Sequence, residues 1–156
     1  MGNAGDFRVK GPPNRERERG SVTLELVFAV GFLLIPAAAL LAQLPGWIGT
    51  THAAQTAAVE AARQVVLAND MAGGVVAAAQ TASEVIGNHG FSSEDLLDVT
   101  VVAVPAGELQ RGQVVTVTVI LRGDPIVVPG LGTVGNPFDA VGSAAERVDD
   151  YRGFGP

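Results

Sequence analysis

His52 and His89 are the two imidazoles of this chain, and neither has the neighbours that imidazole chemistry needs. A metal site gathers three or four convergent donors from patterns such as H-x-x-x-H or paired cysteines. Here the histidines stand 37 residues apart and there is no cysteine, so no metal centre and no disulfide framework is expected. No G-x-S-x-G elbow for a serine nucleophile is present. Lys10 is the only lysine, which removes S-x-x-K chemistry from the rest of the chain. The run Gly130–Leu131–Gly132–Thr133–Val134–Gly135 matches the G-x-G-x-x-G spacing that cradles phosphates. Asn136 and Pro137 follow it where a helix is required, so a flexible loop is expected there. The acid pairs Glu94/Asp95 and Asp149/Asp150 read as solvated surface. These absences predict a chain that is not an enzyme and carries no cofactor.

One carboxylate does stand where it needs an explanation. Glu25 heads an apolar run, 26–48, interrupted by polarity only at Gln43. A carboxylate at the edge of such a run costs roughly a few kcal/mol on membrane-insertion scales, so it usually has a partner. At ~1.5 Å rise per residue, about 20 apolar residues cross a bilayer core. The run therefore predicts a transmembrane helix. Ser21 is placed to cap it, and Glu25 lies in its first turns, where the helix dipole favours negative charge. Pro36 is expected to kink the span. Pro45–Gly46–Trp47 is expected to mark its outer end, with Trp47 as an interfacial anchor and Leu26, Phe28, Phe32, Leu33 and Leu34 in the acyl region.

The charge distribution gives the span a direction. Residues 1–20 hold five bases and three acids, a net +2, whereas residues 21–156 hold five arginines and thirteen acids, a net −8. The basic flank predicts a cytoplasmic N-terminus and an extracytoplasmic C-terminus. The acidic remainder argues against a nucleic-acid partner, which would meet a basic patch. Charged residues make up 17% of the chain, against about 25% in soluble domains, a deficit the span explains.

A charged leader (Arg15–Glu16–Arg17–Glu18–Arg19) that ends in Gly20, with an acid at the fifth position after it, resembles the prepilin class of signal sequence. In that class a membrane peptidase cuts on the cytoplasmic side and leaves the apolar segment in the mature protein. The alanine-rich stretch 53–68, two later β-like stretches and the ending Arg147–Val148–Asp149–Asp150–Tyr151–Arg152 are similar to TadE-like proteins, minor pilins of the bacterial tight-adherence (Tad/Flp) pilus system. The similarity covers residues 15–68 well and 98–152 loosely. It implies cleavage between Gly20 and Ser21 by a prepilin peptidase. It also implies partners among the other Tad/Flp pilins and assembly membrane proteins, and a place in an adhesive pilus secretion system. Cleavage would create an α-amino group at Ser21 with a reference pKa of about 8. The resemblance implies that Glu25 neutralises that amine, on its own or a neighbouring chain, during assembly. The alternative is that Glu25 simply sits at headgroup depth, since four residues is only ~6 Å along a helix.

The remaining elements suit a small domain. Residues 1–14 are a Gly/Pro-rich polar lead-in with no core to form. Residues 50–68 are rich in helix formers, with Glu60 and Arg63 at i,i+3 as a surface pair. Their alanines suit close backbone approach, either to partner pilins or to the chain's own sheet. Asn69–Asp70 and Gly73–Gly74 should break this helix before a second one at 75–86, stopped by 87–90. Ser92 with Asp95 can cap a brief turn. Strands are predicted at 98–104, at 113–121 with Val115/Val117/Val119 alternating against Thr116/Thr118, and at 139–148. Residues 122–137 should be an irregular loop and 149–156 a frayed end.

The predicted fold is therefore α+β and pilin-like: a long N-terminal transmembrane helix packed on a small three-stranded antiparallel sheet. Its parts are a cytoplasmic leader (1–20), the span (21–48) and an extracytoplasmic domain (49–156). Two other readings compete. Residues 26–35 could be an ordinary signal-peptide core with an A-x-A cut after Ala39, releasing a soluble secreted domain. Alternatively, an uncleaved signal anchor could display a small binding domain.

Overall fold

The apolar run and the alanine-rich run fold as one helix. The computed structural model describes residues 15–128, 130, 132–135 and 138–153, with the side chains of 15–21 and 134 outside that description. The 1–14 lead-in lies outside it as well. Helix α1 (Arg15–Leu67) is 53 residues long. It begins ahead of Ser21, which is therefore an interior position and not the cap, because the Arg/Glu leader is itself made of good helix formers. The helix is also assigned without interruption through Pro36 and Pro45. A proline removes only one ladder bond when both flanking turns are intact. Gly46 does not break the helix either, and it lies close to the Asp124 carboxylate. The bare stretch ends near Trp47, but the helix does not.

The chain divides into two units, Met1–Ala38 and Ala39–Pro156. In the second unit α1 presents Ala53, Ala54, Ala57, Ala58, Ala61, Ala62 and Val65, all fully buried. That spacing of three and four residues draws a continuous stripe along one helix face. Every alanine of the stripe is buried within this chain, so the stripe covers its own sheet and second helix and is not held open for other subunits. Glu60 and Arg63 pair at 3.1 Å on the outside, as their spacing predicts.

Helix α2 (Met71–Asn88) begins earlier than its glycines suggested. Asp70 caps it by accepting the Gly73 N–H at 2.6 Å, and Gly73 and Gly74 lie inside the first turns. At Gly74 a Cβ would sit 3.0 Å from Val65 Cγ1, so the glycine serves the approach of the two helices. The break in the chain is confined to residues 68–70. Gly74, Ala78, Ala82 and Ile86 form the buried face of α2. The helix stops in the expected place, with Gly90 at φ 86°.

A 3-10 turn, Ser93–Asp95, leads into the sheet. Asp95 Oδ2 accepts from both the Ser92 hydroxyl (2.7 Å) and the Ser92 N–H (2.9 Å), as the spacing of the two residues predicts. Strands β1 (Leu96–Val104), β2 (Val114–Leu121) and β5 (Ala140–Arg147) form an antiparallel sheet in the order β1-β2-β5. β2 is central and pairs Val119 with Val99 and with Gly142. Its inward residues Val115, Val117, Val119 and Leu121 are fully buried, the alternation that a half-buried strand requires. The three-stranded antiparallel sheet is thus as predicted.

The region 122–137 is more ordered than expected. β3 (Ile126–Val128) and β4 (Gly132–Val134) pair as a second, two-stranded antiparallel sheet. Gly130, Gly132 and Gly135 adopt φ of 85°, 83° and 56°, so the G-x-G-x-x-G spacing belongs to a hairpin. The ending is tied down over its described part, 149–153, whereas 154–156 lie outside the described residues. The Arg152 guanidinium donates to the Leu67 carbonyl and, at 2.7 Å, to the Ala68 carbonyl, covering the C-terminal end of α1. The orphan carbonyls and negative dipole of a helix end favour a cation there. Arg111 Nε in turn donates to the Arg152 carbonyl at 2.7 Å.

Two predictions follow from these contacts. A Cβ on Gly142 would lie 2.2 Å from the Ala54 carbonyl carbon and oxygen, backbone against backbone, with no flexible side chain to yield. Gly142→Ala should therefore lose at least the ~1–3 kcal/mol typical of overpacking, read as a lower urea midpoint for the full chain in detergent; an unchanged midpoint contradicts the close approach. The Ser92 hydroxyl and N–H, helped by Arg122, hold the Asp95 carboxyl below the usual carboxylate range. A lowered folded pKa means stabilisation that is complete above the unfolded value and is lost as pH falls through the folded one. Asp95→Asn should lower the melting temperature at pH 7, and its gap from the wild type should close as pH falls below the usual carboxylate range and through the lowered folded value. A gap independent of pH would refute that role.

Candidate functional site

Between residues 22 and 49 no side chain is buried, and Thr50 is the first that is. Along this stretch Leu26, Phe28, Phe32, Leu33 and Leu34 are all exposed, Phe32 to 85%. The described helix is long and apolar enough to cross a membrane. Monomeric soluble proteins rarely expose contiguous apolar surface on this scale. Gly20 and Ser21 lie in the helical backbone of α1, and Glu25 is exposed four residues beyond Ser21. Trp47 is half-buried at the far end of the run.

The transition from bare to covered helix is made by polar contacts that the sequence did not reveal. Gln43 Oε1 accepts the Val127 N–H at 2.7 Å, and its Nε2 donates to the Val127 carbonyl at 3.1 Å. Three turns on, Gln55 does the same for Ser143, accepting its N–H at 3.2 Å and donating to its carbonyl at 2.9 Å. A primary amide has the donor and acceptor of one peptide unit, so each glutamine substitutes for a neighbouring strand at one residue. Gln55 thereby closes part of the open edge of β5. The available signal for Gln43 was its solitary polarity in an apolar run; nothing local named its partner.

Beside this junction lies an apolar cleft of about 200 Å³, lined by Trp47, Thr50, Thr51, Gly123, Phe138, Asp139 and Ala140. Its hydroxyls are already engaged with their own helix: Thr50 donates to the Gly46 carbonyl at 3.0 Å and Thr51 to the Trp47 carbonyl at 2.9 Å. Asp139 is its one charged lining residue, and no base or nucleophile stands with it.

The remaining titratable residues are dispersed. His52 is exposed, and His89 Nδ1 contacts the Val85 carbonyl at 2.8 Å. Among the described residues no three of the His, Asp and Glu side chains gather as a metal site would require. Glu94, Asp149 and Asp150 are exposed, as expected, and the acids make local surface bonds: Asp95 accepts from Ser92, Asp150 from Arg147 at 3.1 Å, and Asp149 from the Tyr151 N–H at 2.8 Å. What the arrangement offers is therefore an apolar helix surface to be covered.

Comparison with protein-family models, with curated proteins and with solved structures finds no match.

The junction yields a direct test. Gln43→Leu keeps the apolar volume and removes both bonds to Val127. A hydrogen bond has a net worth of about 1 kcal/mol, so exchange of the Val127 amide should accelerate about fivefold. Unchanged protection in hydrogen–deuterium exchange would show that Gln43 does not hold the hairpin.

Proposed function

We propose that this chain is a TadE-like minor pilin of a Tad/Flp-type pilus: a structural, non-enzymatic subunit with a pilin-like fold. In this reading a prepilin peptidase cuts between Gly20 and Ser21, residues 21–48 anchor the product in the cell membrane, and residues 49–156 face outward. The observation that carries the reading is the division of α1 into a bare half and a half buried by its own small α+β domain. A helix of this kind passes from lipid into a fibre by exchanging one apolar surrounding for another. The leader ending at Gly20 and the acid at Glu25 supply the processing and docking groups. The charge change, from net +2 over residues 1–20 to net −8 beyond, supports a cytoplasmic N-terminus. Partners are the peptidase, other pilins and the membrane proteins of assembly.

A second reading has an observation of its own. The second compact unit begins at Ala39, beside the A-x-A cut that would release a secreted domain. Such a product would expose Leu40, Leu41, Leu44 and Ile48 to water.

The mature N-terminus separates these readings. N-terminal sequencing of the membrane-extracted protein should find Ser21, and only when the peptidase is present. A soluble chain starting at Leu40 would establish the secreted domain and end the pilus reading. An intact N-terminus would leave an uncleaved signal anchor. Within the pilin reading, Glu25→Ala should leave cleavage largely intact and reduce pilus assembly. Normal piliation in that variant would remove Glu25 from amine pairing.

A further inference from the structure

The hairpin of β3 and β4 hangs from α1 at Gln43, which lies inside the apolar run and not beyond it. Gln43 precedes Trp47 by four residues, ~6 Å of helix rise. The two bonds to Val127 hold the hairpin at that level. The flanking acids stand further along the helix: Asp124 faces Gly46, and Asp139 lines the cleft with Trp47 and Thr50. Between Asp124 and Asp139 the sequence has no charged residue. Val127 is 53% exposed and Phe138 72%, so apolar side chains of this segment lack a cover within the chain.

Part of the described backbone is paired as those surroundings favour. Lipid accepts polypeptide only where N–H and C=O groups are paired. Ile126, Val127 and Val128 stand opposite Val134, Thr133 and Gly132, and the Ile126 N–H donates to the Gly135 carbonyl at 3.2 Å. The outward-facing groups of Val127 are those taken by Gln43.

We infer that the β3–β4 hairpin is a second membrane-contacting element, with Val127 and Phe138 entering the headgroup–acyl boundary beside α1 on the domain's side of the bilayer. The partner is the lipid surface itself. The inference rests on α1 spanning the membrane. Its consequence is a domain fixed to the bilayer at two places, with the Gln43 amide joining them.

The chain has no cysteine, so single nitroxide labels can be placed cleanly. The full-length protein carrying Phe32→Cys, Val127→Cys, Phe138→Cys or Tyr151→Cys is reconstituted alone in phosphatidylcholine/phosphatidylglycerol vesicles. Collision rates are then measured with oxygen, which concentrates in lipid, and with a water-soluble nickel chelate. Tyr151, 94% exposed in the polar ending, is the aqueous reference. The oxygen-to-nickel ratio at Val127 and Phe138 should exceed that at Tyr151 several-fold, with Phe32 higher still. Ratios at Val127 and Phe138 equal to that at Tyr151, with Phe32 in lipid, would overturn the hairpin contact and leave the span standing. Low collision with both reagents at Val127 would mark a protein cover, a second copy of the chain, and also overturn it. Aqueous behaviour at Phe32 as well would overturn the span and the hairpin together.

Discussion

A helix with no buried side chain over residues 22–48 must find most of its cover outside its own chain, and the rest of the structure is arranged around that requirement. Apolar burial contributes about 25 cal/mol per Å², so a bare run of this length is a large unsatisfied driving force in water. Past Trp47 the same helix finds its cover in the chain. The residue types change with the surroundings, from Leu, Val and Phe to alanine. Large side chains suit a fluid solvent of acyl chains; alanines suit a sheet and a second helix at close range.

Close approach then dictates the glycines and the amides. Gly142 lets β5 meet the α1 backbone at Ala54, and Gly74 lets α2 meet Val65. A helix that comes so near a strand edge meets unpaired peptide groups, and these need partners. Gln55 and Gln43 answer that need at Ser143 and Val127. The end of α1 is met in the same way by Arg152, from the other end of the chain. The helix is thus bonded at three places along the second unit, each by a side chain with the hydrogen-bonding geometry of the group it serves.

What the sequence made legible follows from the range of the forces involved. The apolar run, the alternation in β2 and the Ser92–Asp95 turn are local patterns, and each lies where it was expected. Gly73 and Gly74 misled because local propensity for a break was outweighed by packing against Val65, a contact no window of sequence contains. β3 and β4 are three residues each, too short to display a period of two, and their glycines and prolines read as loop. Arg152 reads as part of a polar tail until the carbonyl of Leu67, 85 residues earlier, is brought to it. Gly20, Ser21 and Glu25 are different: their proposed roles rest on likeness to prepilin leaders alone, because nothing in the helical backbone that contains them sets them apart.

The central claim is that lipid covers the bare half of α1, and alkaline carbonate extraction of membranes from cells producing the full chain tests it most directly. Carbonate strips proteins held by surface contacts or trapped in vesicles and leaves those whose helices cross the acyl region. The account predicts that the chain stays with the membrane pellet. Quantitative release into the supernatant would contradict it, and the apolar face of residues 22–48 would then need a protein cover.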